Sequence, residues 1–136
     1  MTEVEILALT VYGEARGETY LGQLAVAHTI LNRVKNPAWW GSTIAGVCLK
    51  PKQFSCWDDP NRVHIMRASL DDQALRSCLR AAISAMDNIE KDLTGGADHY
   101  HVTNMPVMPG WRDTSKITVE VGRHTFYKLR AGGVDV

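Results

Sequence analysis

From Val4 to Val34 apolar side chains recur at helical spacing, and the run is interrupted once, at Gly13-Glu14-Ala15-Arg16-Gly17-Glu18. Val4, Leu7, Ala8 and Val11 form one stripe; Leu21, Leu24, Ala25, His28 and Leu31, with Ile30 or Val34, form the next. Thr2 and Glu5 have capping-box spacing, so the first helix starts there, and it should end near Gly13 to Gly17. The second runs from about Thr19 to Lys35 and stops at Asn36-Pro37. Glycines flank Glu14 at the seam, where they let the backbone turn and leave room for a ligand. A carboxyl at such a helix end, with a core behind it and a cleft in front, suits general acid–base work. Partial burial would keep it protonated near neutral pH. Taken alone, the string fits a solvated helix end equally well.

The connection from Pro37 to about Arg62 is irregular and holds Trp39, Trp40, Phe54 and Trp57. Connections this long and aromatic more often carry function than not. Trp39 and Trp40 are assigned to the core. Short helical turns are expected at Ile44 to Val47 and within Asn61 to Ala68. Asp71 or Asp72 should cap a helix reaching about Ile89, with Leu75, Cys78, Leu79, Ala82, Ile83 and Met86 inward. After Thr94-Gly95-Gly96 come strands at about Asp98–Val102, Ile117–Val121 and Thr125–Leu129, with a tight turn at Gly122-Arg123. Helices first and a small antiparallel sheet in the C-terminal third make an α+β chain. One domain is expected over residues 1–130, with a frayed tail at 131–136.

Hydrophobic residues make up 45% and charged residues 22%, as in an ordinary globular domain with a real core. A formal net charge of zero gives no footprint for nucleic acid, and no apolar stretch approaches the length of a membrane span. There is no glycine-rich phosphate or dinucleotide loop and no haem motif, so no cofactor is expected. Cys48, Cys56 and Cys78 fit no zinc or redox spacing and are assigned as free thiols. The acidic start, Met1 to Glu5, lacks the basic and apolar regions of a secretory leader, so cytoplasmic synthesis is expected.

Three constellations could carry chemistry. Glu14 and Glu18 lie four apart and would share a face of a continuous helix, but the glycines argue against continuity. Glycoside hydrolysis usually uses two carboxyls, and Asp58, Asp59, Asp98 or Asp113 could also supply the second. Glu18 could instead simply favour the positive N-terminus of the second helix. Gln53-Phe54-Ser55-Cys56-Trp57 joins aromatic faces to amide and hydroxyl groups, a sugar-binding combination; the same rings could equally pin a loop to the core. His99 and His101 share a strand face, and with His124 they invite a zinc reading. No H-E-x-x-H motif accompanies them, and no metal is assigned.

In chain order the sequence carries Tyr12 to Glu18, Gly22-Gln23-Leu24-Ala25-Val26-Ala27, Leu31-Asn32-Arg33-Val34, Gln53-Phe54-Ser55, Thr94-Gly95-Gly96-Ala97 leading into His99-Tyr100, and Gly122 to Tyr127. Together these resemble the SleB-type cell-wall hydrolases, a family named for a spore-cortex-lytic enzyme and found also in phage lysins. The resemblance implies a lysozyme-like fold related to lytic transglycosylases. It implies cleavage of the peptidoglycan glycan between N-acetylmuramic acid and N-acetylglucosamine. The catalytic glutamate would be Glu14. Tyr100 matches a tyrosine-rich segment of some members, which here reads His99-Tyr100-His101.

A single acid then suffices if the substrate assists. Glu14 would protonate the glycosidic oxygen and then take the proton of the C6 hydroxyl, giving a 1,6-anhydro end. Gln53 and Ser55 would bond the N-acetyl group or sugar hydroxyls, and Tyr100 would hold the sugar or orient Glu14. Phe54, Trp57 and Trp111 would form stacking surfaces, with Glu18 a further substrate contact. The expected partner is bacterial peptidoglycan, bound by a monomer with no stable membrane association. A phage endolysin that reaches the wall through a holin-permeabilised membrane fits the expected synthesis. The alternatives are a hydrolytic muramidase, a zinc amidase using His99, His101 and His124, and a silent wall-binding module.

Overall fold

The computed structural model describes residues 1–130; the expected tail at 131–136 lies outside them. Helix α1 (Glu3–Ala15) starts where the capping box closes. Thr2 Oγ1 accepts from the Glu5 amide at 3.3 Å, and Glu5 Oε1 accepts from the Thr2 amide at 2.8 Å. α1 continues through Gly13 to Ala15, so Glu14 sits in its last turn. Gly13 was expected to leave room for a ligand, but the space beside it is taken by Cys56. A Cβ there would lie 2.5 Å from Cys56 Cβ, so the glycine admits Cys56.

Helix α2 (Tyr20–Lys35) is capped by Thr19, whose hydroxyl accepts from the Gly22 amide. Gln23 closes the seam between the two helices. Its amide donates to the carbonyls of Ala15 at 3.3 Å and Glu18 at 3.2 Å, and its own oxygen accepts from Ser77. These bonds tie α2 and α5 to the turn that follows α1. Short helices α3 (Ile44–Leu49) and α4 (Arg62–Met66) fall within the irregular stretch.

Helix α5 (Gln73–Met86) starts at Asp72, which accepts from the Ala74 amide at 2.8 Å. It packs against α1 and α2 and buries Leu75, Cys78, Ala81, Ala82 and Ala85. It ends three residues before the expected Ile89 because Asn88 turns left-handed (φ 53°). The Ile89 amide then reaches the Ser84 carbonyl at 2.8 Å and the Asn88 amide reaches Ala85, the Schellman pairing. Ile83 and Met86, expected inward, are partly exposed; Ile83 borders an open groove with Leu79 and Tyr20.

Strands β1 (His99–Val102), β2 (Ile117–Val121) and β3 (His124–Tyr127) form an antiparallel sheet ordered β1-β3-β2. The expected β3 starts one residue earlier and ends two residues earlier, since Gly122 makes the turn at φ 58° and pairing resumes at His124. The register sets Tyr100 opposite Phe126 and His99 opposite Tyr127. Tyr100, His124 and Phe126 therefore share one face, and His99, His101 and Tyr127 the other.

The end of α2 fixes where this sheet begins. Asn32 donates to Asp92 Oδ2 at 2.9 Å and to the Ala97 carbonyl at 3.0 Å, and Arg33 Nε donates to the Asp98 carbonyl at 2.7 Å. Gly95 and Gly96 supply the left-handed turn (φ 68° and 85°) that brings the chain back beneath α2. Asn32 and Arg33, in the last turn of α2, thus aim β1 at the last turn of α1.

Candidate active site

Glu14 is half-buried at the C-terminal end of α1, and Tyr100 arrives from β1 to donate its hydroxyl to Glu14 Oε1 at 2.7 Å. Burial raises the Glu14 pKa, and hydrogen bonds from Tyr100 and the Cys56 thiol only partly offset this. The Tyr100 phenol is itself pushed well above its usual pKa by burial and by Glu14, so it stays a donor. The pair is a carboxyl held toward its protonated form and a tyrosine that orients it.

Three recesses meet at this carboxyl. A cleft of about 290 Å³ is lined by Glu14, Arg33, Trp39, Lys52, Gln53, Phe54, His99, Tyr100 and Trp111. On the other side, one of about 210 Å³ holds Ser55, Cys56 and His64, and one of about 280 Å³ holds Gly17, Glu18, Arg123 and His124. Glu14 alone borders all three. Open recesses on more than one side of Glu14 leave room for a strand to continue past it.

The second glutamate does different work. Glu18 Oε1 accepts from the Arg123 amide at 2.9 Å and Oε2 from Arg123 Nε at 2.7 Å. Burial raises its pKa, but the Arg123 bonds and the nearby His124 outweigh that and leave it lowered. Its carboxylate anchors the β2–β3 turn. A Cβ on Gly122 would sit 2.6 Å from Glu18 Oε1, so the turn also needs a glycine for space. Three of the other four candidate carboxylates are engaged too, and Asp59 is exposed away from the main cleft. Asp98 accepts from His99 Nδ1 at 2.8 Å and from the Leu129 and Arg130 amides, Asp58 accepts from the Lys52 amide, and Asp113 caps Ser115. Among the described residues, Glu14 is the one acid in the main cleft.

The aromatic segment divides. Phe54 reaches the cleft wall, and Gln53 spends its amide on the Trp40 and Val47 carbonyls at 3.0 and 2.7 Å. Gln53 thus shapes the loop with its nitrogen, leaving a buried Oε1 without a partner. Ser55 is exposed across Glu14 from the main cleft. Trp57, expected as a stacking surface, is instead in the core, where its indole N–H donates to Thr10 Oγ1 at 2.9 Å. The reason is Thr10: it offers the acceptor a buried indole needs. Trp39 is the reverse case, assigned to the core but 62% exposed at the cleft rim, while Trp40 is fully buried. Trp111 faces it from the far side, packed on His99 with ring centres 4.8 Å apart.

The zinc reading fails on geometry. His124 packs against Tyr100 on one face of the sheet, while His99 and His101 pack against Trp111 on the other. His99 is bonded to Asp98 and His101 to the Tyr127 hydroxyl at 2.6 Å. Arg33, Lys52, Trp39 and His99 were not anticipated as cleft residues. A charged side chain within the buried run of α2 was a visible signal for Arg33. Nothing in sequence separates Trp39 from its neighbour Trp40.

The family profile described as Cell Wall Hydrolase matches residues 17–127, beginning just after Glu14. The catalytic domain of the germination-specific lytic transglycosylase SleB from Bacillus anthracis superposes with a TM-score of 0.74. It is 32% identical, over 93% of each chain. The catalytic domain of the Bacillus cereus SleB protein gives a TM-score of 0.65 at 30% identity, covering 93% of this chain and 89% of that one. A spore cortex-lytic enzyme of Oceanobacillus iheyensis is 33% identical over 93% of this chain and 41% of its own length. The chain spans less than half the length of the curated relatives it resembles along nearly all of its own.

Proposed function

Because this chain belongs to the cell wall hydrolase family, we propose that it cuts the glycan strand of peptidoglycan between N-acetylmuramic acid and N-acetylglucosamine as a lytic transglycosylase. The observation that carries this reading is a lone, raised-pKa carboxyl at the meeting point of a two-sided groove. Glu14, protonated, gives its proton to the glycosidic oxygen as the bond to C1 breaks. The N-acetyl group of the muramic ring stabilises the positive charge at C1. The Glu14 carboxylate then accepts the C6 hydroxyl proton as that oxygen closes onto C1. The products are a 1,6-anhydro end and a free hydroxyl on the leaving sugar, and no water is consumed. Glu14 ends as it began.

Tyr100 orients Glu14 throughout, and its raised pKa keeps the phenol protonated as a donor. Trp39 and Trp111 offer ring faces to the sugars on one side of the scissile bond, with Phe54 as a wall. Ser55 reaches sugar hydroxyls on the other. The engagement of Glu18 by Arg123 supports the one-acid route over a two-carboxylate muramidase.

Digestion of purified peptidoglycan followed by mass spectrometry tests the proposal. Fragments one water lighter than hydrolytic ones and resistant to borohydride are expected. Reducing muramic acid ends would make the protein a muramidase, and sacculi bound but uncut would make it a wall-binding module. The proposal extends to an endolysin, a monomer that reaches the wall once a holin opens the membrane. Expression in a bacterial host should give lysis with a co-expressed holin, and lysis without one rules that route out.

A further inference from the structure

The cleft that receives the strand is walled by a buried cation. Arg33 is 8% exposed, yet it lines the cleft beside Glu14. One side-chain hydrogen bond, from Nε to the Asp98 carbonyl, fixes its direction. Its guanidinium lies against the rings of Trp40, Phe54 and Trp39, with centroids 5.2, 5.7 and 5.8 Å away. Among the described residues no carboxylate comes within ion-pair distance of it. The Asp98 carboxylate is turned to His99 and to the Leu129 and Arg130 amides instead.

A buried charge with no direct ion pair is costly, and the more distant Asp98 carboxylate and stacking on aromatic faces recover only part of the loss. Burial accordingly lowers the Arg33 pKa. A second cation stands at the same cleft. Lys52 is exposed and adopts a left-handed backbone (φ 66°), where a lysine is uncommon, held by its amide to Asp58 Oδ1 at 3.2 Å. Against these two cations the cleft sets one acid, Glu14, which is held toward its neutral form.

We propose that Arg33 and Lys52 form a carboxylate-binding subsite that selects glycan strands carrying an acidic arm on the muramic ring. The inference rests on the glycan-cleaving reading above. Guanidinium groups take carboxylates through two parallel hydrogen bonds, and the terminal nitrogens of Arg33 are the ones left for that. The carboxylate has two sources: the lactyl arm itself, where the strand has lost its peptide, or the peptide stem attached to it. Plain N-acetylglucosamine polymers carry neither. The subsite therefore separates wall glycan from chitin, a distinction that ring-stacking tryptophans cannot make.

The test compares four forms of one purified glycan: with stems or stripped of them by an amidase, each with carboxylates free or capped by carbodiimide and ammonia. Wild-type kcat/KM should fall by roughly tenfold on capping, mostly through KM, as expected for one lost charge-assisted contact. A fall on stripped strands assigns the lactyl arm; a fall confined to stem-bearing strands assigns the stem. Lys52→Gln should lower kcat/KM on free strands by roughly two- to fivefold and shrink the free-to-capped ratio. Arg33→Lys should shrink the free-to-capped ratio further. A purely structural role for Arg33 would lower activity on all four substrates by one factor and leave the ratio alone. Equal cutting of free and capped strands by the wild type overturns the subsite while the cleavage reading stands. Failure to cut any strand removes both. If Arg33→Lys does not fold, the Lys52→Gln ratio decides.

Discussion

Glu14 and Glu18 are four residues apart and have the same side chain, but their surroundings push them in opposite directions. Glu14 faces a cleft and meets only neutral donors, the Tyr100 hydroxyl and the Cys56 thiol; burial wins and its pKa rises. Glu18 is also little exposed, its side chain 5% accessible, but it meets an arginine side chain and that residue's backbone amide, and its pKa falls. Confinement alone does not make an acid catalyst. What decides is whether the neighbours of the carboxyl are neutral or positive.

Glu14→Gln breaks the comparison at its strongest point. Removing the proton donor should cost about 10³-fold or more in glycan cleavage, since general acid–base catalysis contributes on that scale. The fold should not suffer and should gain. A carboxyl whose native pKa lies above its unfolded value of 4.5 binds more protons folded than unfolded as pH climbs through that interval. It therefore loses stability from about pH 4.5 upward. Glutamine carries no such loss, so the variant should melt above wild type at neutral pH and level with it near pH 4. Thermal melts at the two pH values, beside turnover assays, check both halves. A variant that is inactive because it is unfolded would refute the account.

Tyr100→Phe comes next. It deletes the donor that aims Glu14 and holds its pKa down. We expect roughly ten- to hundredfold lower kcat, with the alkaline limb of the rate profile moved upward because an undonated carboxyl keeps its proton longer. An unmoved limb would mean that Tyr100 acts on the sugar alone.

Both glutamates were legible as a motif, but their division of labour was not. Periodicity and capping signals identify α1, α2 and α5 because each is a local matter of spacing and a terminal side chain. The partner that neutralises Glu18 lies 105 residues away, on a turn whose approach depends on the whole sheet. Trp57 and Trp39 exchanged roles for a similar reason. One indole finds the Thr10 hydroxyl and the other does not, and no composition argument contains that pairing. The early end of α5 is different, because Asn88, a residue that tolerates the left-handed cap, was in plain view.

Glu18→Gln should separate structure from chemistry. Glutamine keeps an acceptor for Arg123 but loses the charge, so stability should drop by about 1–2 kcal/mol at neutral pH, with Arg123 itself solvent-exposed. A carboxylate with a lowered folded pKa stabilises above about 4.5 and loses that contribution as pH falls. The gap between variant and wild type should therefore close in acid. Activity at 25 °C should stay within about threefold, because Glu18 touches no reacting atom in the proposed route. Inactivity comparable to that of Glu14→Gln, in a folded protein, would restore the two-carboxylate mechanism.

Cys56→Ala should have the smallest effect and is the finest probe of the neutral-donor idea. The thiol lies against Gly13, within reach of Glu14, and holds the Glu14 pKa down against burial. Sulfur is a weak donor, so its loss should shift the alkaline limb upward by less than Tyr100→Phe does. Cys56→Ser, which keeps a donor, should bring the limb back toward wild type. If alanine and serine shift it equally, the cysteine matters for packing beneath α1 and not for the proton on Glu14, and Tyr100 alone would set the protonation of the acid.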